Sequence, residues 1–324
     1  MNTSGMVAAV AIGRNEGDRL IRCLTTLKAQ VDRLVYVDSG STDGSVAAAR
    51  EMGVTVVELD TATPFTAARA RNAGFEALRG DGLPEFVQFV DGDCGVEPDW
   101  IAAALTAFAE RADLGIVTGW RAEIYPDASI YNALVEFEWH RPAGEILACG
   151  GDMMVRSADF DAVGGFDPTV IAAEDDEFCT RIRKSGKKLL RLPLPMTRHD
   201  AAMMRFGQWW QRAVRSGHGF AQVGDLHPEY FRPEKRRVVL FGAVLPALAL
   251  LGLFWLPLIL AVLALYLLSY VRTVQGLRRE GLGRGMALHQ ALFLSLSKFP
   301  NLLGMIRYYR RRARGSAMRI IEYK

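Results

Sequence analysis

Cysteine is scarce in this chain. The four residues, Cys23, Cys94, Cys149 and Cys179, are scattered and form no C-x-x-C pair. That argues against a disulfide framework or a structural zinc site and fits a reducing compartment. No G-x-G-x-x-G follows the first apolar run, which disfavours a dinucleotide fold of the dehydrogenase type. No basic stretch precedes MVAAVAIG, so that run is expected to be a first strand rather than a signal peptide. The first 200 residues contain no internal repeat or low-complexity linker. The longest lack is of charge: residues 238–271 are 34 residues without a charged side chain.

At about 1.5 Å per residue, a single helix of that length overshoots a hydrocarbon core of ~30 Å. Pro246, Gly252 and Pro257 interrupt the run. It is therefore expected to form two short helices, about 238–253 and 256–271, folded back near Phe254 and Trp255. Lys235, Arg236 and Arg237 precede it, and Arg272, Arg278 and Arg279 follow it. Positive charge on both flanks places both ends on the cytoplasmic side. A buried hairpin of a soluble domain is the alternative, but soluble core helices rarely run so long uncharged. In residues 286–306, Leu288, Leu292, Phe299, Leu303 and Ile306 fall near one helical face. This segment reads as an amphipathic helix that lies on the membrane or crosses it.

Formal net charge is only +3, yet it is unevenly spread. Residues 272–324 carry 12 basic and 2 acidic side chains; the rest of the chain carries 27 and 34. A basic tail on an acidic body suits anionic lipid or nucleic acid. Beside a membrane segment, RYYRRRAR (307–314) reads as a contact with lipid headgroups, with no nucleic-acid partner expected.

Residues 1 to about 200 alternate strand and helix patterns. Apolar runs at 7–12, 33–38, 54–59 and 85–90 are separated by helix-like stretches near 18–29, 43–52 and 66–79. This order implies an α/β domain with a mostly parallel, Rossmann-like sheet. Ligands of such sheets bind beyond the carboxyl ends of the strands. Polar clusters stand at those ends: RNEGD after the first, DSGSTDGS at the second and DGD at the fourth. Asp38 and the small residues after it offer hydrogen-bonding groups ahead of a helix, although Ser-Thr-Asp-Gly is also ordinary turn and cap chemistry. Asp91 and Asp93, two apart at a strand end, form a pair able to hold Mg²⁺ or Mn²⁺, which take hard oxygen ligands and share them with phosphates.

Asn15-Glu16, VDSGSTDGS, AARARNAGF (67–75), DGD (91–93), GGFD (164–167) and AEDDEF (173–178) together resemble the inverting family-2 glycosyltransferases of the GT-A fold. The resemblance spans roughly residues 6–217. It implies a nucleotide-sugar donor (a UDP-sugar favoured), Mg²⁺ or Mn²⁺, and a single displacement that inverts the anomeric carbon. It assigns Asp38 to the nucleotide base, with Arg14, Asn15 and Glu16 lining the nucleotide pocket and Arg71 and Asn72 near the donor. Asp93 is the principal metal ligand it implies, with Asp91 supporting the metal or meeting the ribose and sugar. Asp175 is the implied base for the acceptor hydroxyl; the alternative is that the four acids 174–177 only decorate a helix N-terminus.

His199 could serve the metal or the diphosphate, or be a surface histidine. QWWQRAVRSGHGF (208–220) partly resembles the Q-x-x-R-W element of processive synthases, but Arg212 stands one place late and Ala213 replaces the tryptophan. Gln208 and Arg212 remain donor-site candidates on that basis. Trp209 and Trp210 suit either sugar stacking or the membrane interface.

The expected organisation is a glycosyltransferase domain over residues 1–230 and a membrane-attachment region over 231–324. The catalytic domain would face the cytoplasm from the inner membrane and act on a lipid-linked acceptor, most simply a polyprenyl-diphosphate glycan in exopolysaccharide or surface-glycan synthesis. A transferase making a polyprenyl-phosphate sugar or glycolipid is the alternative. A sugar-nucleotide-binding scaffold is the non-enzymatic one.

Overall fold

The computed structural model describes residues 7–316 together with Met318, Ile320 and Ile321. The first six residues of the expected catalytic domain, and Arg319 and Lys324 of the basic tail, lie outside the described residues. The chain divides into two compact units, the first ending at Met204 and the second beginning at Arg205. The division falls earlier than residue 230 because the helix Phe206–Leu226 packs within the second unit, against the helix Lys298–Ala313.

The first unit runs β1 (Val7–Gly13), α1 (Asp18–Lys28), β2 (Arg33–Asp38), α2 (Ser45–Glu51), β3 (Thr55–Glu58), α3 (Ala67–Ala77) and β4 (Phe86–Asp91). It continues through β5 (Cys94–Val96), α4 (Trp100–Glu110), β6 (Leu114–Glu123), α5 (Ile130–Trp139), β7 (Gly144–Ile146), β8 (Met153–Arg156), α6 (Ser157–Ala162), α7 (Glu174–Lys184) and β9 (Lys188–His199). Among the described residues, the strands form one sheet in the order β3-β2-β1-β4-β8-β6-β9-β5, with β7 beside β9.

β1 reads VAAVAIG because it is buried on both faces, as a central parallel strand must be. Its period of two divides the core. Val7, Ala9 and Ala11 join Leu20, Leu24 and Leu27 of α1 and Trp100 of α4 on one side. Ala8, Val10 and Ile12 join Phe75 of α3 and Phe178 of α7 on the other. Each such leucine or phenylalanine withdrawn from water contributes about 1.5–3 kcal/mol. The β3-β2-β1-β4 half is parallel throughout. Beyond β4 the sheet turns mixed: β8 is antiparallel to both β4 and β6, and β5 to β9, while β6 and β9 run parallel. The Rossmann-like expectation holds: the first half is parallel throughout, and the mixed half keeps β6 and β9 parallel.

In the second unit, α8 (Phe206–Leu226) and the helix Lys298–Ala313 approach through glycines. A Cβ on Gly217 would lie 2.0 Å from the Asn301 carbonyl oxygen, and one on Gly304 2.0 Å from that of Val214. Two helices, Arg232–Phe254 and Leu256–Arg279, are long and apolar enough to cross a membrane, with mean hydropathies of 2.2 and 1.8. They break at Trp255, near the expected turn, where Gly252 packs on Ile259. They outrun the expected limits because the flanking basic residues, at no cost to helical propensity, continue the helices. The 286–306 segment is not one helix. It divides at Ser297 into Arg284–Leu296 and Lys298–Ala313. The Ser297 hydroxyl donates to the Leu294 carbonyl, and Pro300 sits in the first turn of the new helix, where its missing N–H costs nothing. The anticipated apolar stripe of Leu288, Leu292, Phe299, Leu303 and Ile306 is exposed.

Candidate active site

The carboxyl ends of β1, β2 and β4 meet at one edge of the sheet. Asp38, at the end of β2, is 2% exposed. It accepts from the Tyr36 hydroxyl at 2.8 Å and from the backbone N–H groups of Gly40 and Ser41 at 2.8 and 2.7 Å. Three of its roughly four acceptor positions thus shape the loop after β2. Asn15, in the left-handed region at φ 56°, extends that loop by accepting from the Thr42 N–H at 2.7 Å. Arg14 is exposed and lies over the Phe65 ring, and Glu16 pairs with Arg19.

β4 ends in Asp91-Gly92-Asp93. Gly92 donates to the Ile12 carbonyl, and a Cβ there would lie 3.0 Å from that oxygen, so the close approach this glycine permits is to β1 itself. The two aspartates then part. Asp91 accepts from the Arg71 guanidinium at 2.7 Å and lies 3.8 Å from that of Arg121. Asp93, 4% exposed, turns to His199, with Nε2 3.2 Å from Oδ2. Sheet register makes this second pairing: β5 is antiparallel to β9 with Cys94 opposite His199, and Asp93 is the residue just before. Among the described residues, Asp93, Cys94 and His199 bring one ligand atom each within 4.8 Å of one another. Burial pushes the Cys94 thiol well up, and hard cations such as Mg²⁺ or Mn²⁺ take the carboxylate and imidazole in preference to sulfur. His199 is buried, which removes the surface-histidine alternative.

Arg71 is 2% exposed and bridges Asp91 to Glu174 Oε1 at 2.9 Å, tying the end of β4 to the start of α7. Burial acts to neutralise this guanidinium, but Asp91, Glu174 and Asp175 outweigh it and hold the proton on. Asn72 clamps the GGFD turn: its side chain donates to the Phe166 carbonyl and accepts from the Phe166 N–H. Ala173, left-handed at φ 58°, delivers the chain into α7, so Asp175 stands in that helix's first turn. The Asp175 carboxyl is raised well above its ordinary value, by burial first and then by Glu174 and Asp176, against the pull of Arg71.

Several members of the cluster escaped the sequence reading. Asp152 is buried; it accepts from the Asp91 N–H and from the Thr197 hydroxyl, and lies 2.9 Å from Arg121. Gly151 leaves room for the Arg71–Asp91 pair, since a Cβ there would lie 1.9 Å from the guanidinium. Gly150 faces both Arg121 and Asp175. The signal for these was the run Cys-Gly-Gly-Asp at 149–152, two glycines before a carboxylate and a strand. Gln208 and Arg212 belong to the second unit. Gln208 accepts from the Arg205 N–H at the start of α8, and Trp209 is buried against Phe293, not displayed as a stacking surface.

A half-sheet whose strands end in carboxylates, joined to a mixed half that returns a histidine beside them, defines the GT-A class of α/β fold. Residues 10–157 match the family model Glycosyl transferase family 2, and residues 129–205 match N-terminal domain of galactosyltransferase. The residues that match the family-2 model lie within the first unit of the chain. Among solved structures, a mannosyltransferase of Pyrobaculum calidifontis, in complex with GDP-Man and Mn²⁺, superposes with a TM-score of 0.61 at 18% identity. That match covers 94% of this chain and 87% of the other. Residues 1–349 of S. aureus TarS, in complex with UDP-GlcNAc, superpose with a TM-score of 0.51 at 15% identity, covering 97% and 93%. Both are likenesses of fold. The pre-mycofactocin glycosyltransferase of Mycobacterium tuberculosis is 26% identical over 263 residues, 76% of this chain and 53% of its own length. A TPR repeat-containing protein of Synechococcus elongatus is 41% identical over 77 residues, 24% of this chain and 19% of its own. The chain thus spans about half, or less, of the curated relatives it matches.

Proposed function

We propose that this protein is a membrane-attached inverting glycosyltransferase. It moves a sugar from a nucleoside-diphosphate donor, a UDP-sugar by preference, to a lipid-linked acceptor of the polyprenyl-diphosphate class in exopolysaccharide or surface-glycan assembly. Its main support is the pairing of Asp93 with His199 at the carboxyl edge of the sheet, beside a fully charged arginine network and the Asp175 carboxylate.

The donor set fits a divalent cation. One carboxylate and one imidazole, buried and 3.2 Å apart, would hold Mg²⁺ or Mn²⁺ while leaving it free to share phosphate oxygens. Bound there, Mg²⁺ or Mn²⁺ would neutralise charge on the departing diphosphate. The remaining work falls to the chain itself. Asp38 and Asn15 shape the loop that receives the nucleotide. Arg71 and Arg121 offset the charge of Asp91, Asp152 and Glu174, so these carboxylates stay in place without repelling a diphosphate. Asp175 accepts the proton of the acceptor hydroxyl as that oxygen attacks. Its raised carboxyl suits this task, since a base nearer neutral pH holds the proton better. The exposed apolar helices of the second unit hold the domain where a lipid-linked acceptor lies, with the arginines of residues 307–314 toward anionic headgroups.

The test is transfer from labelled sugar nucleotides by the full chain in detergent, with membrane lipid extract as acceptor. Transfer that requires Mg²⁺ or Mn²⁺, stops in chelator and gives a product of opposite anomeric configuration is the expected result. Nucleotide binding without turnover in every donor tried would make the protein a scaffold.

A further inference from the structure

We infer that Glu123 is a positioning residue that sets the orientation and tautomer of His199 for cation binding. The inference rests on the metal reading above and deepens it. β6 and β9 run parallel with Glu123 paired opposite His199, while β5 places Cys94 opposite the same histidine from the other side. The imidazole therefore lies between two carboxylates, Asp93 toward Nε2 at 3.2 Å and Glu123 toward Nδ1 at 4.0 Å. The Glu123 side chain is 0% exposed. A carboxylate sealed from water is costly unless other groups bind it, and this one is held by three donors, which leaves part of its roughly four-bond acceptor capacity open. The Tyr125 and Ala201 N–H groups donate to it at 3.1 and 3.0 Å, and the Asn132 amide reaches it at 3.4 Å. These bonds fix Glu123 in place against the cost of its burial.

His199 is fixed on its remaining side. The Trp139 ring meets the imidazole edge to face at 4.6 Å. Trp139 ends α5, which is anchored to the same strand end where the Glu123 N–H donates to Glu136. Ser129 begins that helix, accepting from the Asn132 N–H and donating to the Met203 carbonyl. The ring is thus held in plane with few rotations open to it. Nδ1 is buried without a hydrogen-bond partner among the described residues, and the Glu123 carboxylate faces it from 4.0 Å, just beyond hydrogen-bond reach. A buried ring N–H seeks an acceptor, and Glu123 is the acceptor facing it. When Nδ1 carries the proton, Nε2 presents its lone pair beside Asp93 Oδ2. Metal-bound histidines are oriented in this way by a carboxylate behind them, and losing that partner weakens metal binding by about 10–100-fold.

The test is a double-mutant cycle on Mn²⁺ affinity, measured by calorimetry and by electron paramagnetic resonance on the full chain in detergent. Glu123→Gln should weaken Mn²⁺ by about 10–100-fold; the amide meets a backbone N–H that the carboxylate satisfied, so its melting temperature falls and affinity is measured well below it, on folded protein. Glu123→Gln combined with His199→Ala should bind no worse than His199→Ala alone, because Glu123 acts through His199. Wild-type affinity in Glu123→Gln, or additive losses in the double variant, would overturn the inference. A second readout needs no Glu123 variant. In ¹⁵N-histidine spectra of the wild type loaded with Mg²⁺, the His199 signal, identified by its loss in His199→Asn, should have its proton on Nδ1; a proton on Nε2 would overturn the inference. If the wild type bound no Mn²⁺ at all, the metal reading itself would fall, and this inference with it.

Discussion

The two units of the chain break opposite rules. The first buries charge: Arg71, Asp93, Glu123 and Glu174 are each no more than 6% exposed. The second exposes oil: Leu253, Phe254 and Trp255 are 71%, 92% and 62% exposed, and only 6% of the apolar window in Leu256–Arg279 is covered. Buried charge weakens a fold unless it is paired, and a domain that keeps it has a use for the charge. Exposed apolar surface on this scale is tolerated only where something other than water covers it. The difference separates a unit organised around buried, paired charge from one that leaves two long apolar helices exposed.

Breaking the first unit's chemistry gives the largest expected effect. Asp175→Asn keeps the shape of the side chain and removes its proton affinity. Transfer should fall by about 10²–10⁴-fold, while affinity for the nucleoside diphosphate, measured by calorimetry on the same sample, stays within a few-fold. Transfer close to wild type would reduce Asp175 to a helix-terminus charge.

Breaking the charge pairing comes next. Arg71→Met leaves Asp91 and Glu174 without their shared cation. Denaturant unfolding should show a loss of about 3–5 kcal/mol. An unchanged midpoint would mean that the two carboxylates are already neutralised by other groups.

The smallest of the three lies in the second unit and contrasts with the others. Gly217→Ala puts a methyl against the Asn301 carbonyl and should destabilise the α8 packing by about 1–3 kcal/mol. Proteolysis should then cut the second unit sooner, with Mn²⁺ affinity unchanged. If Mn²⁺ affinity fell as well, the two units would not be separable.

Legibility in the sequence followed the same division. β1, β2 and β4 were readable because each is an uninterrupted apolar run that ends in a polar cluster, and the break at Trp255 was readable from Gly252 and Pro257. Arg121, Glu123 and Asp152 were not, because they belong to the mixed half of the sheet. There a residue's neighbour is set by the register of strands far apart in sequence, as with Glu123 and His199, and no local spacing encodes it. The helix containing Trp209 was assigned to the catalytic domain from a partial motif, whereas its glycine face packs it on Lys298–Ala313. The split at Ser297 was hidden because the apolar stripe continues across it.

The first unit keeps charge away from water at a cost in stability, and Asp175, its carboxyl raised by burial, is where that cost is most open to measurement. A carboxyl whose folded value is raised above its unfolded one stabilises the fold fully below the unfolded value, and that contribution is lost as pH rises through the folded value. At neutral pH the wild type should therefore carry a penalty that Asp175→Asn lacks. The measurement is the melting temperature of wild type and Asp175→Asn between pH 5 and 8. The variant should melt higher near neutral pH, with the gap closing toward pH 5, in the same protein that has lost transfer. A variant that melts lower at every pH would show Asp175 to be a stabilising helix-terminus charge and contradict the claim.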